Sequence, residues 1–406
     1  MDITQIDAKA AGFDEARLER IRDHLQRSYV APGKIAGCQV AVARGGHVAY
    51  HRTLGRRDIE RDEPVTDDTI WRIYSMTKPI TGVALLTLYE QGRFHLADPV
   101  HRFIPSWRGL KVRERAPDGT TRLVDPERPM SVHDLLMHTS GLGYEARGPA
   151  LLGAPEDAPG NQPGATLDTI VDWLADRPLH FHPGTRWQYS VSTDICGKLV
   201  EIISGRPFDE YVRSEVLEPL GMVDTDFWVP EDKRERFATN YRRNSRKELV
   251  VLEDAEGSSY LEPPTLAAGG SGLVSTAADY LRFCRMLAGG GELDGVRILG
   301  PRTVELMLRN HLPGGGDLQE FATGGFGETG FEGMGFGLTV AVGQGPERTQ
   351  VLGSPGHATW GGFASTIFWV DPAEELAVVF LTQLVPSGTF NFRDQLKAIV
   401  YSSIVD

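Results

Sequence analysis

The sequence of 406 residues is poor in cysteine, in long apolar runs and in positive charge. Its three cysteines, Cys38, Cys196 and Cys284, lie far apart, which excludes a disulfide framework and the paired spacing of a zinc site. No apolar run approaches the ~18 residues of a membrane helix, and the N-terminal residues lack the apolar stretch of a secretory signal. The net charge of −13 argues against a nucleic-acid partner, which would require a basic patch. We therefore expect a cytoplasmic protein that binds neither nucleic acids nor membranes.

Apolar patterns typical of β-strands are concentrated near the two ends of the chain. The segment "GCQVAVARGGHVAYHRTLG" contains two apolar runs around Arg44-Gly45-Gly46, which is typical of a β-hairpin. Three further strand-like segments, "FGLTVAV", "GFASTIFWV" and "LAVVFLTQ", follow residue 335. Residues 95–260 instead show helical patterns joined by loops rich in proline and glycine. Strands and helices that segregate in this way predict an α+β fold rather than alternating βαβ units.

We expect two domains, because a chain of this length exceeds what one small core usually serves. Residues 1–94 and 261–406 are predicted to form a discontinuous domain, in which an antiparallel sheet of about five strands is flanked by helices. Residues 95–260 are predicted to form a mostly helical inserted domain. Within it, residues 143–165 exceed the ~12–15 residues of an ordinary unstructured loop. We interpret them as a lid, because Tyr144, Leu151 and Leu152 give this loop apolar groups that can pack.

The segment "IYSMTKPI" sets Ser75 three residues before Lys78. A serine is a weak nucleophile until a base takes its proton, and residues i and i+3 share one face of a helix. Lys78 could therefore be the base, and backbone N–H groups at the helix start could bind an oxyanion. The alternative is an ordinary helix start, in which Ser75 is only an N-cap.

Two other segments could complete such a site. In "PGTRWQYSVSTD", Tyr189 follows a Pro-Gly turn and could present its hydroxyl for proton transfer, although a packed core tyrosine has the same pattern. In "GHATWGGFAS", Gly361-Gly362 would let the backbone approach a ligand closely, and the next N–H, from Phe363, could be a second oxyanion donor. A glycine bend before a strand is the simpler explanation of this segment.

Taken together, these segments resemble the serine β-lactamase and penicillin-binding-protein superfamily, whose S-x-x-K motif lies at 75–78. Within it the chain is similar to class C β-lactamases and most similar to the family VIII carboxylesterases. The resemblance extends over nearly the whole chain and includes 135–142, 183–190, 271–283 and 360–372. It implies the β-lactamase-like (D-Ala-D-Ala peptidase) fold.

The resemblance implies a role for each motif residue. Ser75 takes the place of the nucleophile, Lys78 that of the base, and Tyr189 that of the tyrosine in the Tyr-x-Asn motif. The backbone N–H groups of Ser75 and Phe363 would form the oxyanion hole. The residues expected to contact substrate are Trp360, Gly361, Gly362, Val191 and Tyr144.

Two residues depart from the family pattern. Val191 replaces the asparagine of Tyr-x-Asn, and Trp360 replaces the lysine of Lys-Thr-Gly. In β-lactamases and peptidases, that asparagine holds the substrate amide and the cationic third motif helps to hold its carboxylate. A site without these groups favours apolar, uncharged substrates. We therefore expect hydrolysis of short-chain carboxylic esters, with no cofactor and no metal.

Other functions stay open at this point. The same acyl-enzyme would serve an acyltransferase, and an amide hydrolase acting on β-lactams, D-amino-acid peptides or linear amides would use the same residues. A catalytically silent binding domain is a fourth possibility, although it would not need Ser75, Lys78 and Tyr189 together. His133 and His138 are five residues apart and do not share a helix face, so we interpret them as structural. Nothing in the sequence indicates a protein partner.

Overall fold

An antiparallel sheet forms the centre of the structure, a computed structural model that describes residues 3–116, 118–148, 154–325, 327 and 329–406. The main sheet has eight strands. Their spatial order is Met334–Phe336, Ala341–Gly343, Ala358–Gly361, Ile367–Asp371, Leu376–Thr382, Gly37–Arg44, His47–Asp58 and Glu63–Pro64. All neighbouring strands in it pair antiparallel. Both ends of the chain therefore contribute to one sheet, and the predicted α+β class is confirmed.

The prediction of about five strands is wrong in number, because the edges of the sheet are made of short strands. Glu63–Pro64, at one edge, has two residues. At the other edge, the predicted strand "FGLTVAV" is replaced by two three-residue strands, Met334–Phe336 and Ala341–Gly343. Between them Thr339 has a φ of 71°, which no strand residue adopts. Strands this short are below the length at which alternation can be recognised.

Helices cover both faces of the central strands, which explains their nearly continuous apolar sequences. Along Leu376–Thr382 the side chains alternate between two separate cores, as the period of a strand requires. The apolar side chains at even positions share a core with the terminal helices Arg20–Leu25 and Phe392–Tyr401. Those at odd positions share a core with Thr77–Glu90 and Ala277–Ala288. The second core lies next to the predicted catalytic residues.

Helix boundaries follow the local sequence signals. The Asp14 side chain caps the first helix, and Pro301 occupies the first position of another. Thr276 caps the helix that follows it. The helices are Glu15–Leu18, Arg20–Leu25, Thr77–Glu90, Val132–Leu136, Leu167–Ala175, Ser192–Ser204, Phe208–Val212, Ala277–Ala288, Pro301–Met307, Leu318–Phe321, Pro346–Thr349 and Phe392–Tyr401.

The middle of the chain contains strands as well as helices. Val112–Arg115 pairs with Thr121–Val124, and Asn240–Arg243 pairs with Leu249–Glu253. Leu384–Val385 adds a parallel strand to the second pair. Apolar residues from both predicted domains also belong to one core. The division at residues 94 and 260 therefore stays a prediction.

A buried pair of basic side chains joins the C-terminal helix to the main sheet. The Nζ atom of Lys397 lies 2.7 Å from Nε2 of His357. The other ring nitrogen of His357, Nδ1, lies 2.8 Å from the carbonyl oxygen of Ser354 and must donate to it, because a carbonyl only accepts. Burial, followed by the charge of Lys397, lowers the pKa of His357 to about 4, so this imidazole is neutral in the folded protein.

We predict that His357 makes the fold sensitive to acid between about pH 6.5 and 4. In this window the unfolded state binds a proton at residue 357 that the folded state does not, so stability falls as the pH falls. The pKa difference corresponds to ~3 kcal/mol. Burial lowers the pKa of Lys397 to about 7. Lys397 therefore titrates mostly above this pH window, so its titration adds little to the change in stability within it. Melting temperatures of wild type and His357→Gln, measured across the window, should converge toward low pH. Parallel curves would show that His357 does not carry the acid sensitivity.

Candidate active site

Ser75 lies at a sharp turn between a short strand and the helix Thr77–Glu90, called the Lys78 helix below. The strand is Trp71–Arg72, and Ser75 itself belongs to the single helical turn Tyr74–Met76. Tyr74 has a φ of 42°, in the left-handed region that bulky residues avoid. Strain of this kind persists only where the surroundings enforce it, and it is often found at functional sites.

Ser75, Lys78 and Tyr189 meet, as the sequence predicts. The Tyr189 hydroxyl donates a hydrogen bond to Ser75 Oγ at 2.6 Å, and Lys78 Nζ donates to the same oxygen at 3.2 Å. The Nζ atom also lies 4.5 Å from the centroid of the Tyr189 ring. Lys78 is 0% exposed, and Ser75 and Tyr189 are each 6% exposed. A serine hydroxyl held between an amine and a phenol has the proton acceptors that nucleophilic catalysis requires.

A backbone carbonyl fixes the direction in which Lys78 points. Lys78 Nζ donates to the carbonyl oxygen of Gly270 at 2.7 Å. Because a carbonyl only accepts, this hydrogen bond uses an N–H of the amine whether or not the amine is charged. A neutral amine held in this way can turn its lone pair toward Ser75 Oγ. The geometry therefore suits Lys78 to receive the proton of Ser75.

Tyr189 is packed among aromatic rings just before the helix Ser192–Ser204. Trp187 is stacked on it with a centroid distance of 6.1 Å, and Tyr144 and Trp360 present ring edges at 5.3 and 5.4 Å. Trp360 Nε1 also donates a long hydrogen bond, 3.4 Å, to the Tyr189 hydroxyl. The sequence predicts that Trp360 contacts substrate but does not reveal this polar contact with Tyr189. These rings fix the position of the Tyr189 hydroxyl.

The segment after Trp360 lies directly against the chain that precedes Ser75. A Cβ atom at Gly362 would lie 2.4 Å from the carbonyl oxygen of Ile73, so the two backbones are too close for any other residue. The next residue, Phe363, contacts Tyr74 through its ring, with centroids 6.1 Å apart. No hydrogen bond joins the Phe363 N–H to any other residue that the structure describes. This close approach supports the predicted oxyanion hole, which remains a prediction.

Val191, predicted to contact substrate, lies two residues after Tyr189 with its side chain fully buried. Its N–H donates to the carbonyl oxygen of Gly143 at 3.1 Å, next to Tyr144 in sequence. Lys78 Nζ lies 5.9 Å from the centroid of the Tyr144 ring. Val191 and Tyr144 are therefore beside Lys78 and Tyr189. Contact with a substrate, for these residues and for Trp360, Gly361 and Gly362, stays a prediction.

The His138 ring packs in an edge-to-face arrangement with Tyr189, with centroids 5.2 Å apart. Its Nδ1 atom is 3.1 Å from Ser190 Oγ. Burial and then the nearby Lys78 lower the pKa of His138 well below its usual value, so this ring is neutral. A neutral, fully buried imidazole that packs on Tyr189 agrees with the structural role predicted for it. His133 is paired with His311, with Nε2 and Nδ1 3.1 Å apart.

The segment predicted as a lid is described on both sides of residues 149–153. On one side, Arg147 Nη1 donates to Ser271 Oγ at 2.9 Å. On the other, the Asn161 amide makes two hydrogen bonds with the backbone of Gly148, at 3.1 and 2.8 Å. The base of the loop is thus fixed beside the site. Leu151 and Leu152 lie outside the described residues, and the lid stays a prediction.

The described ranges contain no group of three or more His, Cys, Asp or Glu side chains placed to bind a metal ion. Their helices are also too short or too polar to cross a bilayer.

Comparison with known proteins agrees with this geometry. Residues 22–401 match the protein family described as Beta-lactamase. Esterase EstB of Burkholderia gladioli is 33% identical over 426 residues, which cover 98% of this chain and 100% of that protein. Monacolin J acid methylbutanoyltransferase of Aspergillus terreus is 28% identical over 428 residues, which cover 98% and 97%. The solved structure of EstCE1, a hydrolase with promiscuous acyltransferase activity, superposes with a TM-score of 0.77 at 24% identity and covers 97% of this chain and 99% of that one. The predicted β-lactamase-like fold is confirmed.

We predict that Lys78 and Tyr189 act as one proton-transfer unit, because both reach the same oxygen atom. Lys78→Ala and Tyr189→Phe should each lower kcat by ~10²-fold or more. The double variant should lose far less than the product of the two, because residues that act together are not additive. Ester turnover by the four proteins measures this coupling.

The matched control for the Lys78 and Tyr189 variants is Tyr211→Phe. It removes another tyrosine hydroxyl that forms a hydrogen bond, here with Thr87 at 2.8 Å. Its kcat should stay close to that of the wild type. Multiplicative losses in the Lys78 and Tyr189 double variant would show that the two groups work independently.

Proposed function

The chain belongs to the beta-lactamase family, and from this premise we propose that it is a serine esterase that cleaves short-chain carboxylic esters through a covalent acyl-enzyme on Ser75. One observation carries the proposal. The Ser75 hydroxyl is buried at the start of a helix, with Tyr189 2.6 Å and Lys78 3.2 Å from its oxygen. A serine that only capped a helix would not need hydrogen bonds from both a tyrosine and a lysine.

In the proposed reaction, Ser75 Oγ attacks the ester carbonyl carbon while its proton passes to the Lys78 and Tyr189 pair. The backbone N–H groups of Ser75 and Phe363 would stabilise the negative charge that develops on the carbonyl oxygen. Collapse of the tetrahedral intermediate breaks the carbon–oxygen bond of the ester, and the same pair returns the proton to the leaving alcohol. Water then attacks the acyl-enzyme by the same steps and releases the acid and free Ser75.

The groups around the site favour esters over β-lactams and peptides. Trp360 and Val191 are both fully buried, and neither presents a cation or an amide. The indole N–H of Trp360 is directed at the Tyr189 hydroxyl. A substrate carboxylate or amide would therefore lack a side-chain partner at these two positions. The similarity to Esterase EstB of Burkholderia gladioli supports the same choice.

Acyl transfer is the second candidate, because a relative that aligns along 98% of this chain is a methylbutanoyltransferase. The acyl-enzyme and the proton-transfer pair are the same in both reactions. The difference is the acceptor, which is water in the esterase and an alcohol in the transferase. Turnover of a p-nitrophenyl ester with and without an added alcohol, with the new ester quantified, separates the two.

We propose a cytoplasmic protein whose partner is a small ester, with no role in binding nucleic acids or membranes. The composition supports this proposal, because a net charge of −13 disfavours nucleic acids and anionic lipids. Fractionation of the native host cells would test the location.

We predict that Ser75 becomes acylated. Brief incubation with p-nitrophenyl butyrate, followed by acid quench and intact-mass measurement, should show one added butyryl group, which peptide mapping should place on Ser75. Ser75→Ala should fold normally, show no adduct and lose ester turnover. Ser402→Ala, which removes a serine beyond the C-terminal helix, should behave as wild type. Wild-type turnover in Ser75→Ala would end the assignment of Ser75 as nucleophile.

We also predict that kcat/KM for p-nitrophenyl acetate or butyrate exceeds that for a penicillin or cephalosporin by orders of magnitude. Each substrate polar group left unpaired on burial costs ~1–3 kcal/mol, and this is roughly 5- to 150-fold in rate. Trp360→Lys combined with Val191→Asn should narrow the gap. Equal kcat/KM values for nitrocefin and a short p-nitrophenyl ester in the wild type would contradict the esterase proposal and indicate a β-lactamase.

A further inference from the structure

The glycine pair Gly269-Gly270 connects the Lys78 helix to the helix Ser192–Ser204. The carbonyl oxygen of Gly270 accepts from Lys78 Nζ at 2.7 Å, and that of Gly269 accepts from Thr81 Oγ1 at 2.7 Å. Lys78 and Thr81 are three residues apart and lie on one face of their helix. The position of this glycine pair therefore decides where the Lys78 amine is held.

A buried carboxylate holds the glycine pair from the other side. Asp194 is the third residue of the helix Ser192–Ser204 and is 0% exposed. Its Oδ1 atom accepts the N–H of Gly270 at 3.1 Å. Its Oδ2 atom has no hydrogen-bond partner among the described residues, which is costly for a buried polar oxygen. Helix stability alone does not explain why this carboxylate is buried with one oxygen unpaired.

The contact between Asp194 and Gly270 is too close for a larger residue. A Cβ atom added at Gly270 would lie 2.8 Å from Asp194 Oδ2, and one at Gly269 would lie 2.6 Å from the carbonyl oxygen of Thr193. The glycines are thus pressed against the first turn of the helix that follows Tyr189. The positions of Lys78 and Tyr189 relative to each other therefore depend on this contact.

The charge opposite Asp194 comes from the base of the predicted lid. Arg147 Nη1 lies 3.7 Å from Asp194 Oδ1 and donates to Ser271 Oγ, next to Gly270, at 2.9 Å. The guanidinium, 20% exposed, thus contacts both the carboxylate and the segment that the carboxylate holds. Arg147 joins the residues before 149–153 to the partners of Lys78.

We propose that Asp194 is a positioning residue for Lys78, acting through Gly270 and supported by Arg147. This inference rests on the proposed esterase function. Asp194 does not touch the reacting atoms. It fixes the glycine segment whose carbonyl directs the Lys78 amine at Ser75, so it contributes to the rate of the chemical step rather than to substrate binding.

The test compares Asp194→Ala with Asp194→Asn in the full chain, with p-nitrophenyl butyrate as substrate. Asp194→Ala removes the acceptor for the Gly270 N–H and should lower kcat by ~10- to 100-fold, because small misplacements of a catalytic group have effects of this size. KM should change little. Asp194→Asn keeps a carbonyl oxygen in the same place and should recover most of the lost kcat.

Asp279→Ala is the matched control for a purely structural role. Asp279 is also a buried aspartate at the third position of a helix, and it accepts the N–H of Asp224 at 2.7 Å. Its loss should lower the melting temperature and leave kcat unchanged. If Asp194→Ala likewise loses only thermal stability, Asp194 is structural and the proposal is wrong.

A second variant keeps the test decisive if Asp194→Ala does not fold. Gly270→Ala pushes the glycine segment away from Asp194 and should also lower kcat without a matching change in KM. Wild-type kcat in Gly270→Ala would overturn the proposal. Absence of ester turnover in the wild type would instead contradict the proposed function, so the two failures are distinguishable.

Discussion

The burial of one amine, that of Lys78, is the constraint that organises this structure. A fully buried Lys78 needs hydrogen-bond partners, and it finds them in Ser75 Oγ and in the carbonyl oxygen of Gly270. Ser75 precedes the helix that carries Lys78, whereas Gly270 comes from a segment almost two hundred residues later in the chain. The same amine lies over the ring of Tyr189, from a third segment. Satisfying one buried nitrogen thus brings together distant parts of the sequence and leaves a serine hydroxyl between two groups that can move its proton.

The sheet supplies the rigidity that this arrangement needs. Ala358–Gly361 brings Trp360 to Tyr189, and the glycine that follows brings the backbone of the last strands against Ile73, just before Ser75. Strands paired on both sides move little, so catalytic groups that contact them are held more firmly than groups on loops alone. Helices on both faces shield the strands from solvent. The C-terminal helix is joined to the sheet by the buried contact between Lys397 and His357. Fold and site therefore depend on the same closely packed strands.

Much of the candidate site could be predicted from the sequence, because its signal is local. Ser75 and Lys78 are three residues apart on a helix with apolar flanks, and Tyr189 follows a Pro-Gly turn. Apolar runs in the sequence also indicate the long strands. What could not be predicted depends on contacts between distant segments. The strand Glu63–Pro64 has only two residues, which is too short to show an alternation of apolar and polar side chains. Asp194 looks like an ordinary acidic residue in the first turn of a helix, and only the fold shows that its carboxylate reaches the backbone of Gly270.

Trp360 stands where the family motif has a lysine, and its indole N–H is directed at the Tyr189 hydroxyl. An indole N–H can only donate, so the hydrogen bond from Trp360 to the Tyr189 oxygen leaves the phenolic proton to point elsewhere, and Ser75 Oγ receives it. The tryptophan therefore orients the tyrosine hydroxyl toward Ser75 Oγ. It does so without a positive charge, and so the pocket gains an orienting group with no attraction for a carboxylate. In the proposed reaction, orientation of Tyr189 would be needed for every substrate and a cation only for anionic ones, so this exchange would change which substrates are accepted while leaving the hydrogen bonds to Ser75 Oγ in place.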